Sequence, residues 1–409
     1  MDASIPSPPL PRLLRERPAL RGFTIIRGAD ELAAQMLNVA VGWYVYSATR
    51  NPMSLAYVGL AQFLPNIALV LIAGHAADRF DRRKIIGLSL LVQALCLAAL
   101  AAWSAIAPPA VGAVYALLVI VGTARTFAAP AMSATLPHVV KDDEFPRAVA
   151  MTSSVFQVAS LAGPAIGGLL YASNGPGMFA VAAALYFLAM TQAYRLTSGH
   201  RSTPTDVADE SILAGIRYLR SNRLLLGLIS LDLFAVLLGG VTALLPIYAR
   251  DILEVGPFGL GCLRCAPGVG AAIVGLVLAH RAIERGAGKL MLACVAGFGF
   301  ATVVFAVSAD FWWSLAALIA AGGFDMVSMV VRQTLVQVAT PDAMRGRVSA
   351  VNWMFIGASA ELGEVESGVT AALLGTVPAA LLGGFGTLAI VILWSRLFPE
   401  LRAVDTLTR

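Results

Sequence analysis

Charged side chains are scarce in this sequence. They make up 13% of the 409 residues, about half of the roughly 25% that soluble domains carry. Because so few charges cannot coat a water-exposed surface of this size, the composition excludes a soluble protein. Hydrophobic residues reach 58% and fall into repeated apolar runs of the length that a membrane helix needs, about 20 residues. The sequence therefore predicts an all-α membrane protein.

Residues for metal, nucleophilic or nucleotide chemistry are also few. The four histidines lie far apart in the sequence, each at a predicted loop edge: His75, His138, His200 and His280. The four cysteines lie in apolar segments, and no second CxxC pair completes a zinc pattern. No Walker phosphate loop is present. We therefore expect neither an enzyme nor a metal site nor a cofactor, and an ion gradient rather than ATP as the energy source.

Apolar runs and the residues that break them predict twelve membrane-spanning helices. The runs are too long for strands and lack the alternation of a membrane barrel. Turn residues such as Asn174-Gly175-Pro176 separate several of them. The predicted spans are 22–47, 54–77, 85–106, 110–130, 147–172, 176–195, 224–249, 257–280, 289–308, 313–337, 348–374 and 377–397.

The distribution of lysine and arginine predicts the orientation. Of the 29 basic residues, 23 fall in the two termini and the loops on their side of the membrane. The opposite loops hold only Arg50 and Arg250, and four arginines lie inside spans. Since cytoplasmic loops are enriched in basic residues, both termini are predicted to be cytoplasmic. This distribution also accounts for the net charge of +5 without nucleic acid as a partner.

A long polar segment divides the predicted spans into two groups of six. Residues 1–195 form a predicted N-terminal bundle with a cytoplasmic tail, and residues 223–409 form a C-terminal bundle. The linker, residues 196–222, starts with a flexible composition. It ends in a segment whose apolar residues have helical spacing, which predicts an amphipathic helix at the cytoplasmic face. Two such bundles are the architecture of transporters that rock about a binding site near the membrane midplane.

The loop between the second and third spans carries the most specific motif, Gly74-His75-Ala76-Ala77-Asp78-Arg79-Phe80-Asp81-Arg82-Arg83-Lys84. It resembles the signature G-x-x-x-D-R-x-G-R-R-[RK] of the major facilitator superfamily, with Asp81 in place of the usual glycine. The resemblance implies a conformational latch that stabilises the outward-open state, formed by Asp78 and Arg79 with Gly74, Arg82 and Arg83. The simpler interpretation is a basic cytoplasmic loop that only sets the topology.

A glycine-proline motif in the fifth span gives a second resemblance. Gly163, Pro164, Gly167 and Gly168 match the superfamily's antiporter motif G-x-x-x-G-P-x-x-G-G, although Ala159 replaces its first glycine. The resemblance favours export by antiport over uptake. A proline-kinked packing helix, which suits any transporter, is the alternative interpretation.

The C-terminal half resembles one branch of the superfamily, which holds the enterobactin exporter and the macrolide efflux carriers. The resemblance rests on segments such as Leu244-Leu245-Pro246-Ile247-Tyr248-Ala249 and Thr340-Pro341-Asp342-Ala343-Met344-Arg345-Gly346-Arg347, and it covers nearly the whole chain. It implies an exporter of a siderophore or drug-like molecule in the bacterial cytoplasmic membrane. The antiporter-like motif, the acidic residues inside the spans and the missing nucleotide site lead us to expect that protons drive the export, and we expect a monomer. The branch also includes a lysophospholipid carrier, so a flippase or an uptake carrier is an alternative. A membrane sensor without transport is the alternative of another class.

Ionisable and polar residues inside the spans are the candidates for binding substrate or protons. A charge at the bilayer centre costs about 2.5–3.5 kcal/mol, so these residues must pair, protonate or face a wet cavity. Asp325, Ser328 and Arg332 have helical spacing and share a face. Glu31 is preferred over its neighbour Asp30. The candidates are Glu31, Gln35, Asn38, Arg125, Asp232, Arg264, Asp325, Arg332, Glu361, Glu364 and Glu366. Structural ion pairs that fix helix packing are the alternative for each.

Overall fold

The computed structural model describes residues 17–141, 144–196, 208–281, 283 and 285–406, which form helices and no strand. The helices are α1 Pro18–Thr49, α2 Met53–Arg79, α3 Arg82–Ile106, α4 Val111–Val139, α5 Phe145–Asn174, α6 Gly177–Arg195, α7 Ala208–Ser221, α8 Arg223–Gly239, α9 Gly256–His280, α10 Ala287–Val307, α11 Phe311–Ala339, α12 Asp342–Leu374, α13 Thr376–Leu397 and α14 Pro399–Ala403.

Ten helices of the described chain are long and apolar enough to cross a membrane. The predicted first and eleventh spans correspond to α1 and α12, which are 32 and 33 residues long but carry several charged residues within their length. A multi-pass membrane protein is therefore the architecture, while the count of twelve spans and the side that each terminus faces stay predictions.

The predicted seventh span is not one regular helix. Helix α8 ends at Gly239, and the chain continues through a 3₁₀ turn, Val241–Leu244, and a π-helical turn, Tyr248–Ile252. Gly240 leaves the helical conformation, and its carbonyl oxygen accepts a hydrogen bond from the Ser367 hydroxyl at 2.8 Å. Inside a membrane such a freed carbonyl needs a partner within the protein. The predicted span over 224–249 is present as a candidate membrane span, Arg223–Ile252, and the irregular turns lie within it.

The described chain separates into two compact units. One contains residues 1–41 and 61–204, and the other contains residues 42–60 and 205–409. The core of the second unit is apolar and lies between α8, α10, α11 and α13, with Leu228, Met291, Val331 and Trp394 among its buried residues. The division into an N-terminal bundle, 1–195, and a C-terminal bundle, 223–409, stays a prediction.

The predicted linker helix is present as α7, Ala208–Ser221. Gly215 lies against the backbone of Arg347, because a Cβ at this glycine would come within 3.0 Å of the Arg347 carbonyl oxygen. Leu219 is buried in the core of the second unit. Helix α7 therefore packs its apolar face on the protein. The first part of the linker, 197–207, lies outside the described residues.

Candidate transport site

Helices α8 and α11 hold a buried ion pair. The Arg332 guanidinium binds the Asp232 carboxylate, and only 5% and 11% of the two side chains are exposed. Removing two such charges from water costs several kcal/mol for each ion, which the attraction between them offsets only when both partners are present. Each residue therefore supplies the charge that compensates the other inside the span.

A small cavity lies beside this ion pair. Asp232, Asp325 and Ser328 line it together with apolar residues of α8 and α10. Asp325 is itself exposed, and it lies two turns before Arg332 on α11. The predicted common face of Asp325, Ser328 and Arg332 is therefore directed at Asp232. The cavity therefore brings together two carboxylates from different helices, those of Asp232 and Asp325.

The first unit contains a second charged cluster, between α1 and α4. Glu31 is 4% exposed, its carboxylate lies 4.0 Å from the Arg125 guanidinium, and it accepts a hydrogen bond from the Gln35 amide at 2.8 Å. Asn38 is half-buried on the same helix. The structure thus joins three of the predicted site residues, Glu31, Gln35 and Arg125, in one contact network.

Two further polar residues, Asp30 and Tyr186, belong to this cluster. One carboxylate oxygen of Asp30 is buried, and so is the Tyr186 hydroxyl, and neither has a hydrogen-bond partner in the described part of the chain. Tyr186 is fully buried, and the charges of Asp30, Arg125 and Glu31 act on it. Tyr186 lies within an apolar run, and nothing in that pattern predicts that it is a neighbour of these charged residues. Asp30 was named but ranked below Glu31.

The remaining candidates lie on α9 and α12. The charges of Arg264 and Glu364 act on each other, and the Arg264 Nε atom is buried without a hydrogen-bond partner among the described residues. Glu361 lies one turn before Glu364 on α12. Glu366 accepts a hydrogen bond from the Thr370 hydroxyl of its own helix at 2.7 Å. The structure therefore gives Glu366 a local helix partner, and directs Glu364 to an arginine.

The glycine-proline motif packs α5 directly against α1. A Cβ at Gly163 would come within 2.5 Å of the Gln35 Cβ, and a Cβ at Gly167 within 2.7 Å of the Met36 Cα. Pro164 and Gly168 are buried beside them. Since Gln35 belongs to the Glu31 cluster, the motif fixes the helix that carries a candidate binding residue. Gly322 has the same role in the second unit, against the backbone of Pro267.

The loop motif covers the end of α2 and the start of α3. Asp78 and Arg79 are exposed, and neither makes an ion pair within the described chain. No atom of a neighbouring residue lies within 4 Å of a Cβ built at Gly74, so no other helix packs closely on this glycine. The latch role of Asp78 and Arg79 stays a prediction.

The other residues of the motif bind backbone. Arg82 donates to the Ala134 carbonyl of α4 at 3.0 Å, and Arg83 donates to the Leu196 carbonyl at 3.4 Å. Asp81, which departs from the superfamily pattern, caps α3 by accepting from the Arg83 amide at 3.0 Å. The loop therefore ties the start of α3 to the ends of α4 and α6.

Residues 19–408 match the family model described as transmembrane secretion effector, a member of the major facilitator group. The chain belongs to this family. The match confirms the predicted superfamily and the interpretation as a multi-pass membrane transporter rather than an enzyme. The predicted location in the bacterial cytoplasmic membrane agrees with this family match.

Curated relatives align with almost the whole length of this chain. This chain is 28% identical over 404 residues to the enterobactin exporter EntS of Shigella boydii. The alignment covers 95% of this chain and 94% of the relative. The EntS protein of Escherichia coli O139:H28 gives the same identity and coverage.

Solved structures with the same fold include the nucleoside transporter NupG, with a TM-score of 0.74, 11% identity and coverage of 93% of this chain and 100% of that one. A peptide transporter of the POT family crystallised with sulfate also has a TM-score of 0.74, at 12% identity and 95% coverage of both chains. At these identities the likeness concerns the fold alone.

Proposed function

We propose that this protein is a secondary active transporter that exports a small organic molecule, a siderophore or a drug-like compound, by proton antiport and alternating access. The observation that carries the proposal is the buried Asp232–Arg332 pair with Asp325 at the same cavity, in a chain whose curated relatives are named enterobactin exporters. The proposal places the protein in the bacterial cytoplasmic membrane, as a monomer without a resident cofactor.

The two carboxylates suggest how a proton can act on the second unit. When a proton binds to Asp232, its charge is lost and Arg332 is left buried without its partner. Asp325, on the same face of α11, then offers the arginine a second carboxylate. Because a buried guanidinium needs an opposite charge, protonation shifts the preferred helix arrangement. A ligand or proton that favours one arrangement shifts the population of the transporter in that direction.

The first unit offers a comparable group. Glu31 is buried, pairs with Arg125 and accepts from Gln35, so protonation of Glu31 removes the negative charge that faces Arg125. In this account Glu31, Asp232 and Asp325 carry protons. Glu361 and Glu364 are further proton candidates, and Arg125, Arg264 and Arg332 are candidates for binding acidic groups. Intramembrane charges at this cost are retained where transport uses them.

Restoration of secretion in a strain without its own exporter tests the function. The gene is expressed in Escherichia coli cells that lack EntS, and enterobactin is measured in the medium and inside the cells. Recovery of secretion supports siderophore export. Without recovery, a panel of macrolides and lysophospholipids is tested in inverted membrane vesicles, in which an exporter accumulates its substrate. Movement of every tested compound in the opposite direction would contradict export, and no movement at all would contradict transport of these classes.

A further inference from the structure

The first unit contains a cavity of its own, separate from the cavity at Asp232. This cavity includes an arginine that the proposed transport site does not use. Residues of three helices line this cavity: Phe23 and Arg27 of α1, Met132, Ser133 and Leu136 of α4, and Val149, Thr152 and Ser153 of α5. All these residues belong to the unit formed by residues 1–41 and 61–204. The cavity volume is about 150 Å³, and a dry cavity of about this size in another protein holds one benzene molecule. The cavity therefore has room for a single ring.

The Arg27 charge has no carboxylate within ion-pair distance in the described chain. Its guanidinium lies over the Phe156 ring, 4.7 Å from the ring centre. The charge of Asp30, one turn further along α1, acts on it only from a distance and is shared with Arg125. A cation inside a membrane span needs a partner or water, and a guanidinium presents donors that match a carboxylate. The cavity thus offers one strong site for an anion.

The hydroxyl groups add a second requirement. Ser133 donates its proton to the Ala129 carbonyl at 3.1 Å, and Thr152 donates to the Ala148 carbonyl at 2.8 Å. Both oxygens keep lone pairs with which they can accept a hydrogen bond from a ligand, and Ser153 adds a third hydroxyl to the lining. A ligand that satisfies the cavity carries a hydroxyl group that donates to them, as well as an anionic group for Arg27. Phe23, Met132 and Leu136 supply apolar surface for the ring between these groups.

We propose that this cavity is a binding subsite for an aromatic hydroxy acid, or for the part of a larger substrate that has this chemistry. The cavity lies within about three helical turns of the start of α1, the end of α4 and the start of α5, the ends predicted to be cytoplasmic. A substrate for export arrives from that side, so the subsite receives it first. The inference rests on the proposed export function, but its test measures binding and not transport.

Calorimetric titration of the purified protein with meta-hydroxybenzoate tests the proposal. This compound carries both the carboxylate and a hydroxyl that cannot bond to that carboxylate, benzoate lacks the hydroxyl, and meta-hydroxybenzamide lacks the charge. We expect meta-hydroxybenzoate to bind more tightly than either analogue. Arg27→Gln should weaken meta-hydroxybenzoate binding about tenfold, as expected for the loss of a charged hydrogen bond, and should leave the weak binding of meta-hydroxybenzamide unchanged. The Thr152→Val variant should remove the preference for meta-hydroxybenzoate over benzoate.

Arg21→Gln is the matched control, because Arg21 is an exposed arginine on the same helix, and this variant should leave meta-hydroxybenzoate binding unchanged. If Arg27→Gln does not yield a monodisperse protein, Arg27→Lys provides the measurement, since it keeps the charge but loses the planar fork, and it should also bind meta-hydroxybenzoate more weakly than wild type. No binding of meta-hydroxybenzoate to wild type, or equal binding to the Arg27 and Arg21 variants, overturns the subsite. Binding of meta-hydroxybenzoate without any exported compound would overturn the proposed function and leave the subsite standing.

Discussion

The Arg332 guanidinium and the Asp232 carboxylate form a contact between α11 and α8 from which water is almost excluded. Removing one partner leaves an uncompensated buried charge, at a cost of about 3–5 kcal/mol. We therefore expect Arg332→Gln and Asp232→Asn each to lower the thermal stability of the protein in detergent. The double variant should be more stable than Arg332→Gln alone, because it leaves no buried charge behind.

Thermal unfolding of the four proteins, followed by tryptophan fluorescence, measures this coupling. Glu254→Gln is the control, because Glu254 is an exposed carboxyl in a loop. Equal stability of all variants would show that the pair does not hold the two helices together. Additive losses in the double variant would show that each residue acts through other contacts.

Gly167 permits the contact between α5 and the backbone of α1 at Met36. We expect Gly167→Ala to destabilise the first unit by about 1–3 kcal/mol, the usual cost of overpacking. Gly112→Ala is the control, because Gly112 has open space around it. Thermal unfolding of both variants measures the difference. An unchanged melting temperature for Gly167→Ala would mean that the two helices separate easily at this crossing.

Asp81 caps α3 at the one position where the loop departs from the superfamily pattern. Asp81→Ala should cost about 0.5–2 kcal/mol, whereas Asp81→Gly should cost only a few tenths, because glycine is tolerated at a helix N-cap. Urea or thermal unfolding of both variants gives the comparison. Equal losses for alanine and glycine would indicate that the carboxylate, through the nearby Arg83 charge, matters more than the cap conformation.

Asp78 is exposed, so its charge can be removed at little cost to the fold. We expect Asp78→Asn to reduce transport strongly while membrane insertion and thermal stability stay unchanged, because the latch acts in a conformation that the transport cycle visits. Quantitative export assays with matched protein levels measure the effect, with Glu254→Gln as the control. Normal export by Asp78→Asn would reduce the loop motif to a topology signal.

The sequence predicted most of the helices because each is a continuous apolar run between turn residues. Its errors lie where local rules compete with tertiary contacts. Helix α4 runs through Pro130 to Val139, beyond the predicted end at residue 130, since one proline removes a single backbone hydrogen bond. The break at Gly240 depends on Ser367, which is 127 residues away in the sequence, and no local pattern shows that contact.

The candidate site could be predicted as a set of residues but not as a set of partners. Helical spacing placed Asp325 and Arg332 on one face of α11, and the structure adds Asp232 as the partner. Glu361 and Glu364 were predicted as candidates without partners, and the structure shows that the opposite charge acting on Glu364 is that of Arg264. Pairing between distant helices depends on packing, and Tyr186 enters the Glu31 cluster for the same reason.

Transport driven by an imposed pH gradient tests the central claim most directly. The protein is reconstituted in liposomes with an acidic lumen, and uptake of the exported compound is measured for wild type, Glu31→Gln, Asp232→Asn and Asp325→Asn, with Glu254→Gln as the control. For one proton exchanged per molecule, each pH unit supports about tenfold accumulation. We predict accumulation that follows the gradient in wild type and control, and loss of this dependence in at least one neutralised variant. Accumulation that ignores the gradient in wild type and survives every neutralisation would contradict proton antiport.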